Sequence, residues 1–431
     1  MLTNIKKETL RVVATCAFTG LFLLVCSGAV NAEFTDQQDL PDMRKFTTSW
    51  RTSAGDLPDR EGLEVDPFLF HGAFKVKETF DTNIYLSNED EESDMITLLN
   101  PSVGVEIPVC DHKLTAEYSL GAYFFARHDE DHIDHLIRGL AEINLTDFKI
   151  TVSDIYRRFT HRSGSEDTNR IRQQHNSLRA GISAEFDQLD FDVGYTFEID
   201  DYLRDLSIFQ TLNYKDKDRY SNIIDAKLAY RFLPKTSILF ENYLGFVNYQ
   251  SKLSSDSWYT ENLIGLRGEL DKDFTVDVKG GFRYQNYKKS RLTVDDDFAS
   301  FVARGDIDYA ITDNDIISLG LERSIYESAY KNMNYYNVNF VSLNYNHRFR
   351  KKITGTLFGA YQYNRYPSET TEGSKTGERY DHLFGGGGSL RYDMRKWVSF
   401  EGRYEYQQRD SRFPVFDFKD HLLSLRGTVG F

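Results

Sequence analysis

The chain has 431 residues, a formal net charge of −14 and a mean hydropathy of −0.52. This acidic balance argues against a nucleic-acid-binding protein, because nucleic-acid-binding surfaces are basic. With 27 tyrosines, 32 phenylalanines and only 8 prolines, the composition favours β-structure over helix.

Residues 1–32 have the pattern of a secretory signal peptide. A basic start precedes a largely apolar run from 12 to 30, and Val30-Asn31-Ala32 fits the small-x-small cleavage rule. Cleavage removes Lys6, Lys7, Arg11 and Glu8, a net charge of +2, and leaves a mature chain of −16 with Cys110 as its sole cysteine. The alternative for residues 1–32 is a membrane anchor. After residue 32, no run of 18 or more apolar residues predicts a membrane helix.

Residues 33–66 are polar and do not alternate. We predict a polar periplasmic N-terminal segment. The alternative is a plug folded into the interior of the domain that follows.

From residue 67 to the end, apolar and polar residues alternate with the period of two that is typical of a β-strand with one wet face. Strands 189–202 and 273–287 show it well, with charges on one face only. The chain divides into eighteen such segments: 68–87, 95–108, 112–127, 132–147, 148–161, 173–187, 189–202, 219–232, 236–250, 257–270, 273–287, 297–311, 315–328, 335–350, 352–366, 379–393, 396–410 and 418–431.

The connections between these segments alternate in length. Very short turns alternate with long polar loops at 203–218, 288–296, 367–378 and 411–417. An even number of strands with short periplasmic turns and long outer loops is the rule for outer-membrane barrels. We therefore predict a single all-β domain, 67–431: a transmembrane antiparallel up-and-down β-barrel of about eighteen strands.

The last predicted strand also has the pattern of an assembly signal. Leu423, Leu425, Gly427, Val429 and the terminal Phe431 form one apolar face, and the ending resembles the assembly signal of bacterial outer-membrane barrels. We expect Phe431 to serve the barrel-assembly machinery, and the Gram-negative outer membrane, with its lipid and lipopolysaccharide, to be the destination.

The polar face predicts the lining of an aqueous lumen, because eighteen strands enclose more space than side chains fill. Its acids and bases nearly balance, whereas a strongly ion-selective filter concentrates one sign. Cross-strand ion-pair ladders and substrate binding are both open readings. The lumen-lining candidates are Glu117, Arg179, Lys227, Arg231, Asp277, Lys279, Arg283, Arg304, Asp306, Arg391, Glu401, Arg403 and Glu405.

The alternation also predicts how single residues tolerate change. On strand 273–287, Phe274, Val276, Val278 and Phe282 are expected to face lipid. Arginine at Val278 should be costly there, and glutamate in place of Lys279, on the wet face, should be mild.

The excess negative charge lies in expected loops, at 89–94, 128–132 and 295–297. Solvated tips and divalent-cation bridges to lipopolysaccharide phosphates are both possible there. His128, His132 and His135 have a helix-like metal spacing that does not suit a hairpin, so we predict no metal site. We predict no catalytic residue, no cofactor and no nucleic-acid partner. The run Gly385–Gly388 predicts a bend or bulge in the wall, or a close approach by a chain in the lumen.

Several stretches resemble one porin-like family, the outer-membrane β-barrels associated with capsular and exopolysaccharide production. They are Leu228–Ser237, Leu319–Arg323, Leu423–Gly427 and Thr82-Asn83-Ile84. The resemblance spans 67–431 and implies a large barrel, passage or assembly of surface polysaccharide, and no cofactor. It implies no catalytic residue.

We therefore expect a pore for export of capsular polysaccharide or exopolysaccharide, working with periplasmic export components. A general diffusion porin is the first alternative. A non-transporting surface barrel, whether structural, adhesive or carrying a rim enzyme, is the second. Because the longest predicted loop, 203–218, is short for an inward constriction, a wide or partner-gated pore is favoured.

Overall fold

The computed structural model describes residues 62–162, 170–203, 214–288, 297–328 and 333–431. The predicted signal peptide, most of the 33–66 segment and most of the 203–218 and 288–296 loops lie outside the described residues. Within the described ranges, no helix is long and apolar enough to cross a membrane.

The described chain forms nineteen strands and two short 3-10 turns, Tyr214–Lys217 and Pro414–Phe416. The strands are β1 Leu63–Val65, β2 Phe68–Asp81, β3 Asp94–Val109, β4 His112–Phe125, β5 His132–Asn144, β6 Lys149–Arg162, β7 Arg170–Glu185, β8 Leu189–Leu203, β9 Arg219–Leu233, β10 Thr236–Tyr249, β11 Ser257–Asp271, β12 Phe274–Tyr287, β13 Phe298–Thr312, β14 Asp315–Glu327, β15 Tyr335–Arg350, β16 Ile353–Glu372, β17 Lys375–Arg395, β18 Val398–Ser411 and β19 Phe418–Gly430.

Strands β2 to β19 form a closed barrel of eighteen antiparallel strands. Each strand pairs with its neighbour in sequence, and β19 closes the ring on β2, with Leu422 opposite Asp81 and Gly430 opposite Ala73. Closure gives each of these eighteen barrel strands a partner on both edges, which removes the bare edges that favour aggregation. The predicted fold class is confirmed, including the strand number. The short β1, at the end of the segment expected to be irregular, adds a hairpin to β2.

The period of two places one side-chain set outward and the other inward. Large apolar side chains stay exposed at alternate positions, for example Ile264 at 65%, Phe282 at 64% and Leu425 at 65%. That much apolar exposure suits a surface that faces lipid. We call this face outward and the opposite face inward. Charged side chains are concentrated on the inward face.

Some charged side chains lie on the outward face, against the expectation that charges fall on one face only, and the carboxylates Glu78 and Asp154 are two of them. Glu78 lies opposite Leu425 and Thr97, and Asp154 lies opposite Leu178, so both share the outward face. Each has a polar neighbour: Thr97 Oγ1 donates to Glu78 at 3.0 Å. Asn176 Nδ2 donates to Asp154 at 2.8 Å. The hydrogen bonds reduce the cost of carrying a polar group on this face.

The predicted loop 367–378 is instead a hairpin. Beyond a bulge at Pro367 and Ser368, β16 and β17 stay paired up to Glu372 and Lys375. Gly373, with φ of +60°, begins the two-residue turn, a backbone conformation that favours glycine. At the other end of the barrel sequence, β2 stops at Asp81 rather than at 87.

The glycine run 385–388 does not form the predicted bulge. All four residues keep unbroken register with β16 and β18. A Cβ on Gly387 would lie 2.1 Å from the Tyr404 carbonyl oxygen and 2.8 Å from the Phe358 ring. The missing side chain therefore lets the Phe358 ring lie against the wall, where Arg403 stacks on it at 4.1 Å.

Candidate functional site

The inward face carries cross-strand ion pairs, and the Arg179 cluster joins three strands. Arg179 of β7 reaches Asp192 of β8 at 2.5 Å and Asp225 of β9 at 2.8 Å. Lys227 of β9 lies 3.6 Å from Asp225 and 3.9 Å from Asp192. Two bases and two acids therefore neutralise one another across three strands.

Two glycines make this geometry possible. Gly181 and Gly194 are directly opposite each other on β7 and β8. A Cβ on Gly194 would lie 2.3 Å from Arg179 Nη2, and one on Gly181 would lie 2.6 Å from Nη1. The guanidinium therefore lies flat against backbone that has no side chains, instead of extending into the lumen.

A second group of ion pairs spans β10 to β13. Lys279 pairs with Glu241 at 2.9 Å, and both side chains are less than a tenth exposed. Glu261 pairs with Arg304 at 2.8 Å and with Arg283 at 3.8 Å. Because Lys279 is buried against Glu241, the expectation that a glutamate would be mild at that position is wrong: it would set two carboxylates together.

The other predicted lumen residues lie on the same face, in smaller pairs. Asp306 of β13 is in register with Asp277 of β12 and Gly320 of β14. The remaining pairs are Glu117–Arg138 at 3.4 Å, Arg231–Asp190 at 2.9 Å, Asp277–Arg267 at 2.8 Å, Arg391–Asp393 at 2.9 Å, Glu401–Arg426 at 2.7 Å and Arg403–Glu405 at 3.4 Å. These contacts agree with the hypothesis of cross-strand ion-pair ladders.

The extracellular mouth is not open across its full width. Glu327, the last residue of β14, accepts hydrogen bonds from Tyr249 Oη at 2.8 Å, Gln285 Nε2 at 2.7 Å and Tyr287 Oη at 3.1 Å. Tyr249 belongs to β10, four strands away, which is about 19 Å along the sheet at the usual strand spacing. The top of β14 and β15 must therefore bend inward to reach it.

Strand pairing shows where this bend begins. β14 pairs with β13 only as far as Arg323 opposite Ala303, whereas it stays paired with β15 to its end. The two upper strand ends form a unit, residues 324–328 and 333–338, which we call the mouth hairpin. Its Tyr335 ring lies 4.2 Å from Phe298 and 5.9 Å from Tyr287, both on the inward face.

The opposite side of the mouth hairpin packs into an aromatic cluster. Met333, Tyr336 and Val338 are buried together with Tyr366, Phe413 and Phe416, the last of these in the turn before β19. Lys217, in the turn before β9, donates to the Met333 carbonyl at 3.0 Å. The hairpin therefore contacts two sides of the mouth at once.

A buried arginine packs against the aromatic rings of this cluster. Arg379 is fully buried, pairs with Asp381 at 2.6 Å and stacks on the rings of Phe416 at 3.6 Å and Tyr366 at 4.6 Å. A buried, paired charge of this kind is costly to break. The side chains of this cluster therefore fill part of the wide aqueous lumen expected from strand number alone.

Sequence reasoning missed the mouth hairpin. Ile325 and Glu327 have the same parity as the outward Leu319 and Leu321, so alternation places them against lipid. The one sequence feature that indicates the mouth hairpin is Glu327, a carboxylate at a position where alternation predicts contact with lipid. The inward bend explains why a carboxylate occurs there.

Two predicted acidic loops are joined by a histidine. His128, between β4 and β5, contacts Asp94 through Nδ1 at 2.7 Å and Glu92 through Nε2 at 2.6 Å. Hydrogen bonding to Asp94, aided by Glu92, raises the pKa of His128 above its ordinary value. Both ring nitrogens face carboxylates, so the doubly protonated imidazolium satisfies both contacts.

Phe431 closes the ring at the periplasmic end. Its amide donates to the Gly72 carbonyl at 2.8 Å, and the Gly72 amide donates back at 3.1 Å. Its ring occupies the space that a Cβ on Gly72 would need, at 2.7 Å. The terminal residue therefore contacts the first barrel strand directly.

Residues 58–430 match the family described as "Putative beta-barrel porin 2". No curated protein matches the chain. Among solved structures, OccAB4 of Acinetobacter baumannii is 11% identical, with a TM-score of 0.47 over 84% of this chain and 98% of that one. OpdK of Pseudomonas aeruginosa with vanillate is 12% identical, with a TM-score of 0.48 over 84% and 99%. A BenF-like porin from Pseudomonas fluorescens is 10% identical, with a TM-score of 0.48 over 85% and 100%.

Proposed function

Because this chain belongs to the putative β-barrel porin 2 family, we propose that it is a porin of the Gram-negative outer membrane that admits small polar solutes past the mouth hairpin. It acts as a passive conduit, not as an enzyme. The lumen supplies the path, and the mouth hairpin sets the size of what enters.

The observation that carries this proposal is the contact of Glu327 with inward side chains of β10 and β12. Three hydrogen bonds from Tyr249, Gln285 and Tyr287 hold the mouth hairpin across the entrance. An inward element that narrows the entrance limits solutes by size, and the polar wall below keeps them hydrated.

The wall chemistry supports weak, unspecific contact with solutes. The Arg179 and Glu261 clusters satisfy their own charges, so a passing solute meets hydrogen-bonding groups without a deep electrostatic trap. Weak binding permits release, which a diffusion pore needs. We propose that the thirteen predicted lumen-lining residues, from Glu117 to Glu405, act in this way.

Export of capsular polysaccharide or exopolysaccharide is the second candidate. The balanced wall supports it, since an extended hydrated sugar chain slides best along groups that are already paired. The mouth hairpin must then swing away from Tyr249, with periplasmic export components as partners. Export of a polymer therefore requires this movement of the mouth hairpin, whereas passage of small solutes does not require it.

A strain lacking the gene separates the candidates. The porin proposal predicts slower uptake of small polar nutrients with intact surface polysaccharide, restored by the wild-type gene. Loss of surface polysaccharide with unchanged uptake would overturn it in favour of export. The control is a strain that expresses an assembled barrel with Lys272→Glu, a change confined to an exposed periplasmic turn.

A further inference from the structure

The outward face of β5, β6 and β7 carries polar donors near its extracellular end. Arg158 lies opposite His135 on β5 and opposite Gln174 on β7. These positions share the parity of Ile137 and Leu178, which are exposed apolar residues at 44% and 37%. The donors therefore occupy the lipid-facing surface.

The spacing of the two arginines suits one anion. Arg172 lies opposite Thr160, two positions along from Arg158. Diagonal neighbours on one sheet face are about 7–8 Å apart at Cβ, within reach of long side chains. Two guanidinium groups at this spacing form a compact cationic group, and together with the neighbouring His135 ring we call it the outward basic patch.

The patch lies at the boundary of the apolar wall. Ile133, nearer the extracellular end of β5 than His135, is still 54% exposed on the same face. Tyr118 Oη is 2.9 Å from His135 Nδ1, a tyrosine placed as in the aromatic belts of membrane proteins. Arginine side chains at this depth extend towards the headgroups.

The two arginines differ from other outward arginines of the barrel. Arg365 pairs with Glu378 at 2.8 Å, and Arg323 donates to Asn339 at 2.6 Å. Among the side chains that the structure describes, no carboxylate pairs with Arg158 or Arg172. The outward acids nearby are engaged elsewhere: Asp154 accepts from Asn176, and Asp201 from Gln250.

We propose that the outward basic patch of His135, Arg158 and Arg172 binds a phosphate group of lipopolysaccharide in the outer leaflet. Cations on a lipid-facing wall are costly, and an anionic headgroup compensates them. Guanidinium groups bind phosphate through paired N–H donors, with more geometric specificity than an ammonium. Gln174 adds a neutral donor at the edge.

The test measures lipid bound to the full-length barrel in detergent by native mass spectrometry. Bisphosphorylated lipid A should bind, dephosphorylated lipid A should bind at least tenfold more weakly, and millimolar inorganic phosphate should not displace the lipid. The double variant Arg158→Gln, Arg172→Gln should lose at least tenfold in affinity. Arg365→Gln, an outward arginine with its own carboxylate, should bind as wild type does.

Equal binding of both lipids, or wild-type affinity in the double variant, would overturn the assignment. A partner protein that binds the patch and is lost in the double variant, with lipid binding unchanged, would also overturn it. Heat-modifiable mobility shows that the variant is folded. Its planar-bilayer conductance should stay at the wild-type value, so the outcome is independent of the porin proposal.

Discussion

The contacts of Glu327 allow an estimate of how strongly the mouth hairpin is held in place. Glu327→Ala removes a carboxylate that accepts three hydrogen bonds from side chains of β10 and β12. A hydrogen bond to a charged group contributes about 1.5–3 kcal/mol. Gln285 keeps Ser257 and Tyr287 as partners, so we count the two tyrosine bonds at the lower value, about 3 kcal/mol in total. That shifts the ratio of open to closed hairpin roughly a hundredfold.

Single-channel recording in planar bilayers measures this shift. Glu327→Ala should raise the open probability or the mean conductance well above wild type. The control is Glu378→Ala, which removes a carboxylate from the neighbouring long hairpin and leaves the mouth contacts in place. Equal currents from wild type, Glu327→Ala and Glu378→Ala would refute the view that these hydrogen bonds hold the entrance.

Four further predictions concern the wall and its loops. Val278→Arg should destabilise the barrel by about 2–4 kcal/mol in urea unfolding from liposomes if it lies near the midplane, and Lys272→Glu should not. Deleting Phe431 removes both terminal hydrogen bonds to Gly72, so pulse–chase fractionation should find protease-sensitive periplasmic protein; normal heat-modifiable barrel in the outer membrane would contradict this. Gly194→Ala should cost about 1–3 kcal/mol by displacing Arg179, and Gly139→Ala, with open space at its Cβ, should be near neutral. Because the folded pKa of His128 is raised, its contribution to stability is fully present below about pH 6.5 and is lost as pH rises through the folded pKa. Hydrogen exchange at residues 126–131 should therefore accelerate with pH beyond its intrinsic pH dependence, and His128→Gln should abolish that excess.

Alternation was sufficient to predict the barrel because a period of two holds wherever one face meets lipid and the other meets water. All eighteen predicted strands form, including 148–161 with its outward Asp154, and their bounds differ most from the prediction at β2, β16 and β17. The rule says nothing about strands that rise above the membrane into water, where both faces are wet. For this reason alternation predicts a loop where the Glu372–Lys375 hairpin forms.

The candidate site was predictable in composition and not in geometry. The inward acids and bases follow from parity, but which residues pair across two strands depends on side-chain reach, as for Lys279 and Glu241. The role of Gly181 and Gly194 appears only when Arg179 is seen lying over them. The inward bend at Ser324 reverses the parity rule locally, and no periodicity in the sequence encodes it.

Liposome swelling with sugars of increasing size tests whether the mouth hairpin sets the size limit of the pore. Wild-type barrel and a variant with residues 325–336 replaced by a Gly-Ser turn are reconstituted at equal protein-to-lipid ratio, and heat-modifiability confirms folding. We expect that wild type admits small sugars and excludes larger ones, and that the variant admits the larger ones too. Two results would contradict this expectation. One is that neither protein makes the liposomes permeable to any sugar, and the other is that both proteins give the same size limit.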